Sequence, residues 1–584
     1  MKILLVVPTS QYHSHYPAFL SFTDFPTGPA YLASALKAAG HEVYGLNPNN
    51  DTTFANQREM LDAKLKKALA DIRPDLVGMG GICTEYHFLK DAIQIIRKNS
   101  PETPIVLGGG IINNDAEFAF QALKPDFCVR GEAEEVLVEL AGGLNGGARR
   151  YAEIPNLGFW ENGNAQFTKL DFTYGDLNKR AFPDYEVFGV QEMMDNYWLA
   201  SRNIFRYPRF QPRAWAIVAA RSCPFSCSFC VHHRGIKYRA RSIDNLVAEI
   251  EHFYPKYEFN ILIILDELFA VSNDRLRQFS EALLQAREQK GWDISWWFQT
   301  HASASFDEDT LKLAKRAGCF FFSYGLESAS PTVLASMNKR IKPAQVVSAI
   351  KTADKLRIGF GANLIFGDPA ETPGTLTETF NFFRDYCKDV SIGVFSLRPY
   401  PGSKLFDSCL SKGLIKDKLG FYEDIDQPIN MTSMSNLFWS IWILGLDYLG
   451  GMSLWVKSTK AISCEPLKSA AENPIARYYR MQLCKIGAVC PHCGETVYFQ
   501  EMVAHGVAGQ AYSMSRAKSG IIAWFWSMRT KKWFFHCCYF AALVASLVFK
   551  PFRLLRYLKN EEKFGVSRIL TGCPECHKRL RVQL

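Results

Sequence analysis

The 584-residue sequence is short of charge. Lys, Arg, Asp and Glu make up 21% of it against 48% hydrophobic residues, a balance that excludes a disordered chain. A net charge of +9 is small for this length, so no nucleic-acid partner is expected. Much of the basic excess lies beside apolar C-terminal segments, where it suits a membrane surface. A signal peptide is not expected either: Met1-Lys2 leads straight into Ile3-Leu4-Leu5-Val6-Val7, too short for a leader and the length of a buried strand. The sixteen cysteines do not space as a disulfide framework. Several fall into C-x-x-C-type groups, which points to metal chemistry in a reducing, cytoplasmic setting. At this length several domains are expected, each able to bury a core.

What is present is organised around Cys223-Pro-Phe-Ser-Cys227-Ser-Phe-Cys230. Thiolates are soft ligands suited to iron–sulfur clusters. A cubane takes four ligands and this loop offers three, which leaves one iron open to a small molecule. A three-ligand zinc site is the alternative. The C-x-x-x-C-x-aromatic-C pattern resembles that of the radical S-adenosylmethionine (SAM) superfamily. That resemblance implies a [4Fe–4S] cluster on Cys223, Cys227 and Cys230. SAM would bind the open iron through its amino and carboxylate groups, and reductive cleavage would yield a 5′-deoxyadenosyl radical.

Residues 1–148 read as alternating strands and helices, hence a parallel α/β sheet. Strands are expected at Ile3–Val7, after Gly40, at 74–80, at 104–110 and at 126–132. Ligands in such sheets sit beyond the carboxyl ends of the strands. The order of motifs resembles the Rossmann-like cobalamin-binding domain that precedes the barrel in one radical SAM subclass. By position, Thr84, Gly108, Gly109, Gly110, Gly131 and Glu132 are then the cobalamin contacts. No Asp-x-His-x-x-Gly motif occurs, so no histidine is marked as a lower cobalt ligand. A domain that keeps the fold and has lost the corrin is the alternative.

Residues 149–210 read as a linker with a small hairpin turning at Asn162-Gly163, then an extended connector around Tyr185 that wraps along the next domain. Residues 211–425 show six strand–helix repeats, which fit a partial (βα)6 TIM barrel with active groups at the carboxyl strand ends. Asp266-Glu267 ends the second strand, Gly325-Leu326-Glu327-Ser328 the fourth and Gly367-Asp368-Pro369-Ala370-Glu371-Thr372 the fifth. Gly-Leu-Glu-Ser with Leu334, Met337, Asn338 and Lys339 resembles the subclass signature. It implies that Glu327 holds the SAM ribose or amino group, with Gly325, Glu267 and Asn363 as further contacts. Glu371 serves either as a ligand or as a helix cap. His232 and His233 follow the cysteines, and His301 follows the third strand as a proton-transfer candidate.

Residues 426–482 form a helical apolar region in which 436–456 either buries itself or lies at an interface. In 483–584, Cys490-Pro-His-Cys493 and Cys573-Pro-Glu-Cys576 form two knuckles of the zinc-ribbon kind. A rubredoxin-like iron or a second cluster involving Cys484 is the alternative. Between them, about 511–562 reads as an apolar hairpin with basic flanks, either against a membrane or buried in a core.

The whole reads as a radical SAM enzyme with cobalamin that methylates an unactivated carbon of a small-molecule or lipid substrate. A reduced flavodoxin or ferredoxin would be its electron donor, and it would be cytoplasmic or at the inner face of the membrane. A cyclase or carbon–carbon coupling enzyme similar to the anaerobic porphyrin ring cyclase is one alternative; a cobalamin- or redox-sensing regulator is another.

Overall fold

Continuous apolar runs such as Ile3-Leu4-Leu5-Val6 and Ile261-Leu262-Ile263-Ile264 can be buried on both faces only in a parallel sheet covered by helices, and the chain builds two such sheets. The computed structural model describes residues 1–9, 12, 25–49, 51, 53–54, 56–144, 151–195, 207–231, 237–425, 427–440, 442–443, 456–467, 481–504 and 568–584. His232, His233, most of 444–482 and the predicted hairpin at 511–562 lie outside the described residues.

The first sheet holds β1 (Lys2–Val6), β2 (Glu42–Leu46), β3 (Leu76–Gly80), β4 (Ile105–Gly108), β5 (Phe127–Val129), β6 (Leu157–Glu161) and β7 (Asn164–Phe167). Its order is β2-β1-β3-β4-β5-β6-β7. β1 to β5 run parallel, and β6 and β7 are antiparallel. An order of 2-1-3-4-5 places the topological switch point between β1 and β3, the default ligand edge of an open sheet. The hairpin expected in the linker forms, with Asn162 at φ 50° and Gly163 at φ 78°. Its first strand pairs with β5, so it extends the first sheet. The fit depends on Gly158, whose absent Cβ leaves room for the Cys128 thiol.

The second sheet holds β8 (Ala214–Ile217), β11 (Ile261–Ile264), β12 (Ser295–Thr300), β13 (Cys319–Glu327), β14 (Gly359–Phe366) and β15 (Ser391–Ser396). All neighbours are parallel and follow chain order. A two-stranded ribbon, β9 (Ala220–Arg221) with β10 (Arg239–Ala240), leads into and out of the cysteine loop. Tyr185 from the connector is 1% exposed and wedges between the sheets. Its ring meets Phe25 and Trp215 edge-on, both at 5.2 Å, and its hydroxyl donates to the Ala216 carbonyl at 3.3 Å.

A third sheet, ordered β18-β17-β16-β20-β19, is built from β16 (Ser458–Pro466), β17 (Met481–Val489), β18 (Thr496–Ala504), β19 (Arg568–Gly572) and β20 (Arg579–Gln583). Among the described residues no helix is long and apolar enough to cross a membrane. In the described start of the apolar run 436–456, Leu437 and Phe438 are exposed, whereas Trp439 is 3% exposed, and its ring fills the space left by Gly367, which sits at φ 124°.

Candidate functional site

The cysteine loop hangs from β9 through Ser222, in the left-handed region at φ 68°, and is pinned by the segment after β13. The Ser228 amide donates to the Met337 carbonyl at 2.9 Å. The Asn338 side-chain amide donates to the Ser226 carbonyl at 2.9 Å and to its hydroxyl at 3.0 Å. The Ser228 hydroxyl donates to the Ser336 carbonyl at 3.3 Å. The loop's conformation is thus written largely in residues 336–338.

All three thiols are partly buried. Burial, helped by Glu267 and Cys227, pushes the Cys230 thiol up to about 12. Burial also raises Cys223 and Cys227, against the pull of Lys339. Such thiols become thiolates when a metal displaces the proton. The three sulfurs do not converge at single-ion spacing; among the described residues only Cys490, Cys493, Cys573 and Cys576 do so. A cubane spreads its ligands over separate iron corners, so the donor set fits a cluster better than one zinc ion.

Around the loop stand the carboxyl ends of the second sheet. Glu327, at φ 65°, ends β13 at a register shift against β14. Its carboxylate accepts from the Lys339 ammonium at 3.0 Å, with both side chains nearly buried. Gly325 makes room for this pair, since a Cβ there would meet both charged groups. Asp266, at the end of β11, accepts from the Ala219 amide at 2.7 Å, and burial raises its carboxyl to about 7. Glu267 is exposed beside it, within electrostatic range of Cys223 and Cys230. Glu371 is buried and accepts from the Gly367 amide at 2.5 Å. Burial raises it to about 8, with Asp368 adding to the rise. The helix cap is Thr372, whose hydroxyl accepts from the Thr375 amide; Glu371 instead braces the turn before it. His301 stacks on Phe225 at 3.8 Å, and burial with the nearby Lys339 charge lowers it to about 4, so its ring is neutral at pH 7. Asp266 Oδ2, His301 Nε2 and Asp368 Oδ2 are buried without a hydrogen-bond partner, three orphaned polar atoms at one sheet edge.

The inner face of this sheet is open. Registered neighbours Ser323 with Gly361, Gly325 with Asn363, and Asn363 with Gly393 carry small side chains. Asn363 is exposed on it, and Phe395 is 44% exposed nearby.

In the first sheet, Thr84 lies in the turn Cys83–Glu85 after β3, at the switch point. Gly108 ends β4, and Gly109 and Gly110 follow it. Gly109 sits at φ 78° with its backbone against Gly81, where a Cβ would lie 2.8 Å from the Gly81 nitrogen. Glycine here lets two backbones meet at a strand end where sheets of this kind bind ligands, with the Ile82 side chain over Gly110 and Glu85 over Gly81. Gly131 packs against the Tyr174 hydroxyl. Glu132 points toward the β9–β10 ribbon that flanks the cysteine loop, where its carboxylate meets Arg221 at 2.8 Å and Arg239, and it also meets Arg180 of the connector at 3.2 Å. Glu134 meets Arg221 at 2.7 Å. Arg221 immediately precedes the cysteine loop, and Asn114, after β4, packs against Gly402, after β15. The carboxyl edges of the two parallel sheets therefore face each other. Sequence reasoning assigned no role to Arg221 or Glu134 and no partner to Lys339. An arginine abutting the cysteine motif was the one available signal.

Residues 23–141 match the B12 binding domain family and residues 217–383 the Radical SAM superfamily. The chain is 26% identical over 420 residues to an uncharacterised methyltransferase of Pyrococcus horikoshii, covering 71% of this chain and 84% of that one. It is 27% identical over 442 residues to the anaerobic magnesium-protoporphyrin IX monomethyl ester cyclase of Rubrivivax gelatinosus, covering 73% and 74%. Its fold is similar to that of the radical SAM methyltransferase TsrM from Kitasatospora setae, solved with cobalamin and a [4Fe-4S] cluster bound, with a TM-score of 0.55 and 19% identity over 71% of this chain and 75% of that one.

Proposed function

We propose that this chain, whose residues 23–141 match the B12 binding domain and 217–383 the Radical SAM superfamily, transfers a methyl group from SAM, through cobalamin, to an unactivated carbon of a small molecule. The observation that carries this reading is the facing of the two carboxyl edges, fastened by Arg221 and Arg239 on Glu132 and Glu134. When bound, the cluster, SAM and corrin supply the hydrogen abstraction and the methyl group. The protein's share is placement and exclusion of water.

In this reading the second sheet is a partial (βα)6 barrel, and Cys223, Cys227 and Cys230 ligate the cluster. Glu327, oriented by Lys339, accepts hydrogen bonds from SAM, with Glu267 and Asn363 beside it. Thr84 and Gly108 to Gly110 line the cobalamin tail. Gly131 and Glu132 act from the sheet interface rather than as a bare pocket wall. The inner face carries the exposed Phe395, the amides of Asn363 and Gln299, and the Glu327–Lys339 pair over Gly325, which suits a substrate with an apolar part and more than one hydrogen-bonding group. A lipid with a polar group near the reacting carbon meets that description. The apolar C-terminal runs favour contact with the inner face of the membrane, and a reduced flavodoxin or ferredoxin is the donor class.

The test is anaerobic reconstitution with cobalamin and SAM carrying a deuterated methyl group. Labelled methyl in product, dependent on cobalamin, supports the reading. Cleavage of SAM with no cobalt retained and no methyl transfer would instead favour ring closure or carbon–carbon coupling, a reading supported by the similarity to the Rubrivivax cyclase.

A further inference from the structure

The third sheet carries a second thiol cluster that the reaction does not use. The ligand atoms of Cys490, Cys493, Cys573 and Cys576 all lie within 4.8 Å of one another. The Cys490 and Cys576 sulfurs are 3.8 Å apart, and those of Cys493 and Cys573 are 3.9 Å apart. A tetrahedron with metal–sulfur bonds of about 2.3 Å has an edge of roughly 3.8 Å. A cubane, with sulfide and iron between its ligands, would hold these sulfurs farther apart.

The two knuckles also share one geometry. The Cys490 amide donates to the Glu495 carbonyl at 2.9 Å, as the Cys573 amide does to Lys578 at 3.0 Å. The Gly494 amide donates to the Cys490 carbonyl, as the His577 amide does to Cys573. Backbone N–H groups reach sulfur in each: His492 to Cys490 Sγ and Cys576 to Cys573 Sγ, both at 3.4 Å. Donors aimed at sulfur stabilise thiolate ligands. We propose that these four cysteines hold a single zinc ion, and that it fixes the turn through which His577, Lys578 and Arg579 fasten the C-terminal strands to the amino end of the second sheet.

The fastening rests on where the knuckles sit. The residue after each knuckle is left-handed, Gly494 at φ 78° and His577 at φ 58°. A histidine tolerates that strain here because its partly buried ring packs on Tyr207 and Phe320, with Nδ1 3.0 Å from the Tyr207 hydroxyl. Lys578 pairs with Asp354 at 2.6 Å, and the Arg579 amide donates to the Asp389 carbonyl. Phe320 begins β13, Asp354 precedes β14 and Asp389 precedes β15. These are the ends opposite the cysteine loop. β13 has nine residues, so the two sulfur sites are on the order of 30 Å apart, which suits a structural ion and not a partner in the chemistry.

The test is metal analysis of the full chain and of a C223A/C227A/C230A chain, with zinc-edge X-ray absorption. About one zinc per chain is expected in both, bound by four sulfurs at about 2.3 Å, with iron lost only from the variant. Zinc absent from soluble protein supplied with it, a mononuclear iron in its place, or a cluster persisting in the triple variant would each overturn the assignment. Since replacing a knuckle cysteine could simply unfold the tail, the fastening is tested with His577→Gly. That change keeps the left-handed backbone, so zinc should stay while hydrogen exchange rises across 568–584. Unchanged exchange would overturn the fastening.

Discussion

Glu327 stands in a backbone region that costs a non-glycine residue about 1 kcal/mol, and it is buried besides. Its ion pair with Lys339 offsets both costs. Removing one partner of a buried pair strands the other and costs about 3–5 kcal/mol. Lys339→Met is therefore expected to lose about that much in denaturant titration, and Lys339→Met with Glu327→Gln to lose clearly less. A loss under about 1 kcal/mol, the range of exposed pairs, would mean that the pair is not buried. Glu371 makes a prediction about pH. Its carboxyl is raised by burial from 4.5 to about 8, so the folded state holds a proton that the unfolded chain releases. The stability this gives is complete below about pH 4.5 and is lost as pH rises towards 8, at up to about 1.4 kcal/mol per pH unit. Glu371→Gln should abolish that slope; melting curves of both proteins from pH 5 to 8 would show the variant gaining on wild type. Parallel curves would contradict the assigned burial.

The cysteine loop is an element whose shape is stored elsewhere. Asn338 is left-handed at φ 50° and makes two bonds to Ser226. Asn338→Gly keeps that backbone and removes only the bonds, each worth about 1 kcal/mol. Faster loss of iron to a chelator is expected, with little change in overall melting; wild-type iron retention would show that the loop holds itself. The strands of the second sheet were legible because apolar stretches end in polar groups, as the buried run Ile261–Ile264 does before Asp266-Glu267. The turn at Asn162-Gly163 was legible because it needs left-handed residues. The hairpin's destination was not, because its pairing is set by contacts such as Cys128 with Gly158, which no local pattern reveals. Lys339 lies twelve residues from Glu327 and Arg221 lies 87 from Glu134, so neither partner could be read from spacing.

At the scale of the molecule, two ligand edges are brought together by different forces. Burying Phe25, Tyr185 and Trp215 supplies adhesion, since a buried large apolar side chain contributes about 1.5–3 kcal/mol. The arginine–glutamate cluster supplies orientation. Glu134 lies below the usual carboxylate range because Arg221 and Arg180 outweigh its burial. Arg221→Gln should therefore lower methyl transfer more than SAM cleavage, by letting the first sheet shift against the cysteine loop; equal losses would assign Arg221 to cluster support alone. The central claim is that Cys223, Cys227 and Cys230 hold the cluster that cleaves SAM, and it is tested most directly by measuring 5′-deoxyadenosine from SAM under anaerobic reduction. The wild-type chain should form it and the C223A/C227A/C230A chain should form none. Equal formation by both would contradict the account.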